Sequence, residues 1–221
     1  MTQEVLIPKM KRPEGHKKIR FNIPLIYMLI LVFCVLLLIA STFINLDIKH
    51  YILPNNLFSK ALTTQDFIKE INLIVQIPIL MLITSAIGKK MSVLAVLLYI
   101  FCGLFVIPVF ALGGGIHYLA EYSFGYILAF LPAVILAGSF LQKKYSFLYM
   151  FLAALCAVIT IHLLGTFYFI LIALLKHDSF NFISGWVASQ TAGKLFYDLL
   201  LSFVAILIGK YINSFLKFVL K

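Results

Sequence analysis

Long apolar runs separated by short polar stretches fill nearly all of the chain after residue 22. A helix needs about 20 apolar residues to cross a bilayer, and most of these runs have that length. The pattern predicts an all-α integral membrane protein with about six transmembrane helices. The approximate bounds of the predicted spans are Ile23–Leu46, Asn72–Ile87, Ser92–Leu112, Phe124–Leu141, Ser146–Leu175 and Ser189–Ile208.

The fifth run is longer than a bilayer requires, which indicates a tilted helix or one that extends beyond the lipid. A hairpin of two helices is the alternative interpretation of Ser146–Leu175. Gly165 is a weak helix breaker, and neither proline nor a charged residue marks a turn within the run. The single helix is therefore the preferred prediction.

The composition excludes a water-soluble protein. The 221 residues are 63% hydrophobic and 12% charged, whereas a soluble domain has about 45–50% apolar and about 25% charged residues. Six spans with their loops use almost the whole length. We therefore predict a basic leader over residues 1–22 and one transmembrane domain over residues 23–221, with no soluble catalytic module.

The distribution of Lys and Arg predicts that both termini are cytoplasmic. With the leader inside, thirteen of the 18 basic residues fall on the cytoplasmic side and five on the other, as the positive-inside rule requires. The five predicted outside are Lys49, Lys60, Lys69, Lys176 and Lys194. The net charge of +10 then indicates contact with anionic lipid headgroups, not with nucleic acid.

Three connections fall on the predicted outer side. The first, His50–Ile71, has a mildly amphipathic part, Thr64–Ile71, which is expected to lie along the membrane interface. The others are Leu112–Ser123, which lacks Lys and Arg, and the polar Lys176–Gly193. Together they are predicted to roof a site that opens away from the cytoplasm.

A triple glycine, Gly113, Gly114 and Gly115, lies in the second of these connections. Glycine allows positive φ and close approach of a ligand to backbone N–H groups. A tight turn between helices is the simpler interpretation. Tyr118, Ser123, Gly125 and Tyr126 follow, either as an aromatic wall of a site or as residues of the interfacial belt.

Lys194 and Asp198 are the strongest candidate binding residues. The i to i+4 spacing places them on one helix face, within reach of each other or of one ligand. Ionisable groups within a span are costly and usually face a cavity or a partner. The alternatives are an ion pair at the helix end, or a lysine that extends to the interface.

Enzymatic, metal and cofactor chemistry find no support in the sequence. His162 lies mid-span, where a hydrogen bond to a neighbouring helix is the preferred interpretation over a proton relay. The other histidines and the three cysteines lack metal-ligand spacing, and no hydrolase or nucleotide-binding motif is present. No catalytic residue, metal or cofactor is predicted, and ATP hydrolysis would require another chain.

The segment Ser92–Gly138 resembles the BioY family, the biotin-binding S components of energy-coupling factor (ECF) transporters. Its first part carries Leu98-Tyr99, Gly103, Pro108-Val109-Phe110-Ala111 and Gly113-Gly114, and its second part Ser123, Gly125-Tyr126 and Phe130. In the last span, the family pattern G-D-x-x-K is replaced by Gly193-Lys194 with Asp198, so that the two charges occur in reversed order.

This resemblance implies an S-component-like bundle in a bacterial plasma membrane, with biotin as ligand and separate ATPase and transmembrane coupling subunits or self-association. It implies a pocket that involves Phe110, the glycines and the tyrosines. Lys194 is expected to bind the ligand carboxylate and Asp198 to accept ureido N–H groups. The alternatives are a carrier for another vitamin-sized solute, a membrane assembly protein without transport activity and, third, a membrane-embedded enzyme.

Overall fold

The computed structural model describes residues 25–51, 67–143, 146–191 and 193–219. The predicted basic leader and the connection residues Pro54, Asn55 and Asn56 lie outside these ranges. Eight α-helices form most of the described chain. They are α1 (Leu25–Thr42), α2 (Gln76–Ile87), α3 (Lys89–Phe101), α4 (Phe124–Leu128), α5 (Phe130–Lys143), α6 (Phe147–Leu175), α7 (Phe180–Thr191) and α8 (Lys194–Val219).

The predicted all-α membrane architecture is confirmed. Five helical stretches of the described chain are long and apolar enough to cross a bilayer, and α2 is a shorter apolar helix. The fifth run is one continuous helix, α6, so the two-helix hairpin is not formed. Many large apolar side chains on the helix surfaces are exposed, including Phe33, Phe105 and Leu163, as expected for contact with lipid.

Local sequence explains several helix boundaries. The Ser146 side chain caps α6 by accepting a hydrogen bond from the Tyr149 backbone N–H. Gly88, with φ of 80°, forms the sharp corner between α2 and α3. Pro132 lies in the first turn of α5, where a missing backbone N–H is tolerated, and α4 ends at Leu128, two residues before α5 begins.

A β-hairpin replaces part of the first predicted connection. Strand β1 (Asn45–Tyr51) pairs antiparallel with β2 (Ile68–Ile74), with Asn45 opposite Ile74 and Tyr51 opposite Ile68. The prediction that the first span extends to Leu46 is therefore wrong, and so is the start of the second span at Asn72. The described end of the Thr64–Ile71 stretch belongs mostly to β2.

The start of the last span also needs correction. Ser189 belongs to a separate helix, α7, and the last membrane helix, α8, begins at Lys194. Gly193 lies between the two helices with φ of 84°, a conformation that favours glycine. A Cβ at this position would also contact Ile71 of β2, at 2.5 Å from Cδ1.

Helices α2 and α8 pack closely over much of their length. Gly209 brings α8 against the Leu82 carbonyl, since an added Cβ would lie 2.7 Å from that oxygen. Two hydrogen bonds connect the helices: Ser85 Oγ donates to the Ile206 carbonyl at 2.9 Å, and Asn213 Nδ2 to the Ala86 carbonyl at 2.6 Å. This contact places the N-terminal end of α8, with Lys194 and Asp198, near the start of α2.

Candidate functional site

A cavity of about 290 Å³ lies at the end of the bundle where α1 terminates and α2, α7 and α8 meet. Residues within or directly next to the three connections that the sequence places on the outer side contribute to its wall. The hairpin contributes Leu73 and Ile74, the loop after α3 contributes Ala111 and Leu112, and α7 contributes Trp186 and Gln190. The volume suits a small molecule, at the lower end of the usual range for ligand pockets.

Apolar and aromatic side chains form most of the cavity wall. Tyr118, Tyr126, Ile127 and Phe130 line it together with the apolar residues of the connections. Behind them, Phe110 packs between Tyr99, Tyr118 and Phe124, with ring centroids 4.7 to 6.2 Å away. This buried aromatic cluster fixes the position of the Tyr118 ring, whose hydroxyl group lies 3.0 Å from Ser123 Oγ.

The triple glycine forms a compact turn beside this aromatic cluster. Phe110 and Gly113 exchange two backbone hydrogen bonds of 2.9 and 3.0 Å, and Gly115 N–H donates to the Gly103 carbonyl at 2.8 Å. Gly113 and Gly115 have φ of 123° and 91°. An added Cβ at Gly114 would lie 2.6 Å from the Gly103 carbonyl oxygen. The glycines therefore let the loop pack against the end of α3.

One polar corner of the cavity contains a buried network from three helices. Gln76 Nε2 donates to Thr42 Oγ1 at 3.0 Å and to the Tyr99 hydroxyl oxygen at 2.8 Å, and those two hydroxyl groups lie 3.1 Å apart. Thr42 and Gln76 both line the cavity. Each of these three buried polar side chains has a hydrogen-bond partner on another helix, as buried polar groups require. The network therefore connects the end of α1 to α2 and α3.

A second polar part of the cavity wall carries Lys194 and Asp198, and the two residues have different partners. Lys194 Nζ donates to Gln190 Oε1 of α7 at 2.9 Å. Asp198 Oδ2 lies 3.0 Å from His162 Nε2 of α6. The described residues show no ion pair between Lys194 and Asp198. The predicted hydrogen bond of His162 to a neighbouring helix is confirmed.

Several buried polar atoms in this region have no hydrogen-bond partner among the described residues. They are His162 Nδ1, Trp186 Nε1, Asp198 Oδ1 and Ser202 Oγ. His162, Trp186 and Asp198 all line the cavity. Leaving such groups unpaired is costly, so a ligand or water that offers complementary groups would be bound more favourably here.

Helix α7 is held over the cavity by aromatic contacts. The Trp186 ring stacks on the ring of Phe169 of α6, and the centroids of the Tyr122 and Trp186 rings are 6.0 Å apart. The Tyr122 hydroxyl group donates to Asp178 Oδ2 at 2.7 Å, and Lys176 Nζ lies 4.1 Å from the centre of the Tyr122 ring. The hydrogen bond to Asp178 raises the pKa of Tyr122, which lies outside the membrane-spanning segments.

Five of the ten predicted site residues line the cavity: Tyr118, Ser123, Tyr126, Lys194 and Asp198. The other five lie behind its wall or outside it. Phe110, Gly113, Gly114 and Gly115 belong to the aromatic cluster and the adjoining turn, and Gly125 lets α4 pack against Tyr168. The role of each predicted residue in binding stays a prediction.

The sequence interpretation missed Thr42, Gln76, Trp186 and Gln190 and gave His162 only a structural role. Gln190 lies one turn before Lys194, a spacing that would have suggested a polar partner. Trp186 is the only tryptophan of the chain and lies in a connection already assigned to the roof of the site. Among the described residues, no group of three or more His, Cys, Asp or Glu side chains could hold a metal ion.

The fold and the cavity define a multi-pass membrane protein with a small-molecule pocket at one end of its helix bundle. The sequence profile of the BioY family matches residues 20–218. The chain therefore belongs to the BioY family, which confirms the resemblance seen in Ser92–Gly138.

One solved structure supports the same fold. The crystal structure of the S-component for biotin from an ECF-type ABC transporter is similar to this chain with a TM-score of 0.61 and 17% sequence identity. The alignment covers 85% of this chain and 90% of that one. A comparison with curated proteins found no significant match.

Proposed function

We propose that this protein binds biotin in the cavity and mediates its uptake as the substrate-binding subunit of an ECF-type transporter. Membership in the BioY family and the fold shared with a biotin S-component support this function. Separate ATPase and transmembrane coupling subunits would supply the energy. The protein would act as a carrier, not as an enzyme.

The observation that carries the proposal is the placement of a cation and a carboxylate one helical turn apart on the wall of an otherwise mostly apolar cavity. Lys194 would bind the carboxylate of biotin in a charge-assisted hydrogen bond. Asp198, with one oxygen unpartnered among the described residues, would accept from a ureido N–H. The aromatic wall of Tyr118, Tyr126 and Trp186 would contact the apolar ring system and chain.

The cavity would face away from the cytoplasm. Its wall is formed in part by the three connections that the Lys and Arg distribution assigns to the outer side. Ligand would then enter between the hairpin, the glycine turn and α7. The opposite end of the bundle, with Lys89, Lys90, Lys143 and Lys210, would contact anionic lipid headgroups at the cytoplasmic surface.

Isothermal titration calorimetry of the purified protein tests the binding step, with biotin, dethiobiotin and a panel of other vitamins. The proposal expects saturable binding of biotin and weaker binding of the unrelated vitamins. Preference for another vitamin would indicate a carrier for a different solute. Absence of binding to every ligand in the panel would favour a membrane assembly protein.

Uptake of radiolabelled biotin by cells tests the transport step. Cells would express this chain alone or together with ECF ATPase and coupling subunits. The proposal expects accumulation above that of cells without the chain, and an increase when the partner subunits are present. Binding without accumulation under either condition would contradict the transport function while leaving the binding function intact.

A further inference from the structure

The two charged residues at the start of α8 belong to separate hydrogen-bonded units. Lys194 is connected to α7 through Gln190, at 2.9 Å. Asp198 is connected to α6 through His162, at 3.0 Å. The spacing in the sequence predicted that these charges are within reach of each other, yet no ion pair joins them in the described chain. A contribution from α6 to the site is therefore a feature that only the structure shows.

The His162–Asp198 pair is buried, and neighbouring side chains restrict the position of the imidazole ring. Their side chains are only 6% and 4% exposed. The Tyr126 ring packs edge-on against the imidazole, with centroids 6.2 Å apart and planes at 84°. Gly165, one turn further along α6, makes room for Tyr126, since an added Cβ would lie 2.6 Å from Cγ of that ring. The Tyr126 hydroxyl group lies 3.3 Å from Thr166 Oγ1 of α6.

With Asp198 ionised, its contact with Nε2 selects the tautomer of the His162 ring. An ionised carboxylate only accepts hydrogen bonds, so the nitrogen that faces Asp198 must be a donor. His162 Nε2–H therefore donates to Asp198 Oδ2, and the Nδ1 atom of a neutral ring is left as an acceptor.

We propose that His162 is a positioning residue for the ligand: its Nε2–H fixes the Asp198 carboxylate so that Oδ1 accepts a hydrogen bond from a ligand N–H group. The inference rests on the proposed function, because biotin supplies such an N–H through its ureido ring. It adds to that function a residue of α6 that acts through Asp198, and it divides the polar wall into two units with separate hydrogen-bond partners. The Gln190–Lys194 unit binds the anionic end of the ligand, and the His162–Asp198 unit binds the end with N–H donors.

Biotin titrations of single and double variants test this division. His162→Phe should weaken binding roughly 10-fold, as expected for a strongly coupled pair, and His162→Gln should recover most of the affinity because its amide can donate to Asp198. In the Asp198→Asn background, His162→Phe should add little further loss. In the Lys194→Met background, most of its effect should remain, because Lys194 shares no hydrogen bond with His162 or Asp198.

Three results of these titrations would overturn the proposal: wild-type affinity in His162→Phe, failure of His162→Gln to recover binding, or full additivity with Asp198→Asn. A matched control is His177→Phe, which changes a histidine that does not line the cavity. It should leave the affinity for biotin unchanged.

Nitrogen-15 NMR tests the protonation of the His162 ring without any measurement of ligand affinity. The protein would be labelled at its five histidines and embedded in lipid nanodiscs, and His162 would be assigned by the resonances missing from His162→Gln. The proposal expects a protonated Nε2. A ring protonated only at Nδ1 would contradict it, because Nε2 could then donate no hydrogen bond to Asp198. If wild-type protein shows the expected ring but binds no biotin, the proposed ligand is wrong while the His162–Asp198 geometry holds.

Discussion

Trp186 of α7 stacks on Phe169 of α6, with ring centroids 5.1 Å apart and ring planes only 15° from parallel. Helix α7 contains no fully buried residue, so its attachment to the bundle depends on a few contacts of this kind. Through this stack, α6 holds one face of Trp186 while the residue also lines the cavity. The position of α7 over the cavity and the shape of the cavity wall are therefore coupled.

Ligand binding should change the intrinsic tryptophan fluorescence of the protein. Trp186 is the only tryptophan, so the whole signal arises at the cavity wall, where a bound ligand alters the polarity around the indole. A titration with biotin should give a saturable change with the same dissociation constant as calorimetry. The Trp186→Phe variant should lose the signal but keep binding, and an unchanged spectrum at saturating biotin would argue against binding in this cavity.

Removing the Trp186 ring should weaken binding by loosening α7. An aromatic pair contributes about 0.5–1.5 kcal/mol, which corresponds to a roughly 2- to 13-fold loss of affinity for Trp186→Ala if docking of α7 is required. Calorimetry with biotin measures this loss. Phe180→Ala is the matched control, because this aromatic residue of the same helix is 80% exposed. Equal losses in the two variants would contradict a specific role of the Trp186–Phe169 stack.

Most of the membrane helices could be predicted because they are long apolar runs, and no partner is needed to recognise such a run. The hairpin had a weaker signal. Polar and apolar residues alternate along Asn45–Lys49, as is typical of a strand, but the run is short and adjoins a membrane helix. The separation of α7 from α8 depends on the conformation of Gly193, which a single glycine in the sequence does not reveal.

The site was harder to predict than the fold because its partners are distant in the chain. Lys194 and Asp198 could be found from charge and spacing alone. The partner of Asp198, however, is His162, 36 residues earlier, and only the packing of α6 against α8 brings them together. The glycines illustrate the opposite problem. Their motif is easily found in the sequence, but the turn that they form packs against Gly103 and Pro108 instead of lining the cavity.

The predicted topology can be tested by cysteine accessibility. In a variant without the three native cysteines, a cysteine at Lys143 should be labelled only from the cytoplasm and a cysteine at Glu121 only from outside. The reason is the excess of Lys and Arg on one side of the predicted spans. A membrane-impermeant maleimide applied to intact cells and to inverted vesicles measures this. Reversed labelling, or labelling of both positions from one side, would contradict the six-span orientation.

The glycine turn should not tolerate a side chain at Gly114. A Cβ there would lie 2.6 Å from both the Gly103 carbonyl oxygen and Pro108 Cα, so Gly114→Val must displace the loop or the end of α3. Overpacking of this kind costs about 1–3 kcal/mol. We expect uptake and biotin binding to be lost while expression and membrane insertion are retained.

Thermal unfolding, calorimetry and uptake assays measure the consequences of Gly114→Val. Gly185→Ala is a suitable control, because an added Cβ there meets no atom within 4 Å. Normal binding by Gly114→Val would show that the turn adapts and that its conformation does not determine the neighbouring cavity wall.

The ligand carboxylate should be recognised by Lys194, and the methyl ester of biotin tests this directly. A hydrogen bond to a charged group contributes about 1.5–3 kcal/mol, so the ester should bind the wild-type protein roughly 10- to 150-fold more weakly than the acid. Lys194→Met should bind the acid as weakly as the wild type binds the ester, and should discriminate little between acid and ester.

Asp198→Asn should lose affinity for acid and ester alike, because Asp198 is expected to bind the ureido end of the ligand. Gln190→Leu removes the amide oxygen that accepts from Lys194 Nζ at 2.9 Å, and should reduce the preference for the acid without abolishing it. Calorimetric titration of each variant with both ligands gives the full comparison.

If wild-type protein binds acid and ester equally, Lys194 does not bind the ligand carboxylate. If Asp198→Asn also binds normally, these two residues serve only to connect α8 to α7 and α6, and the ligand is bound elsewhere.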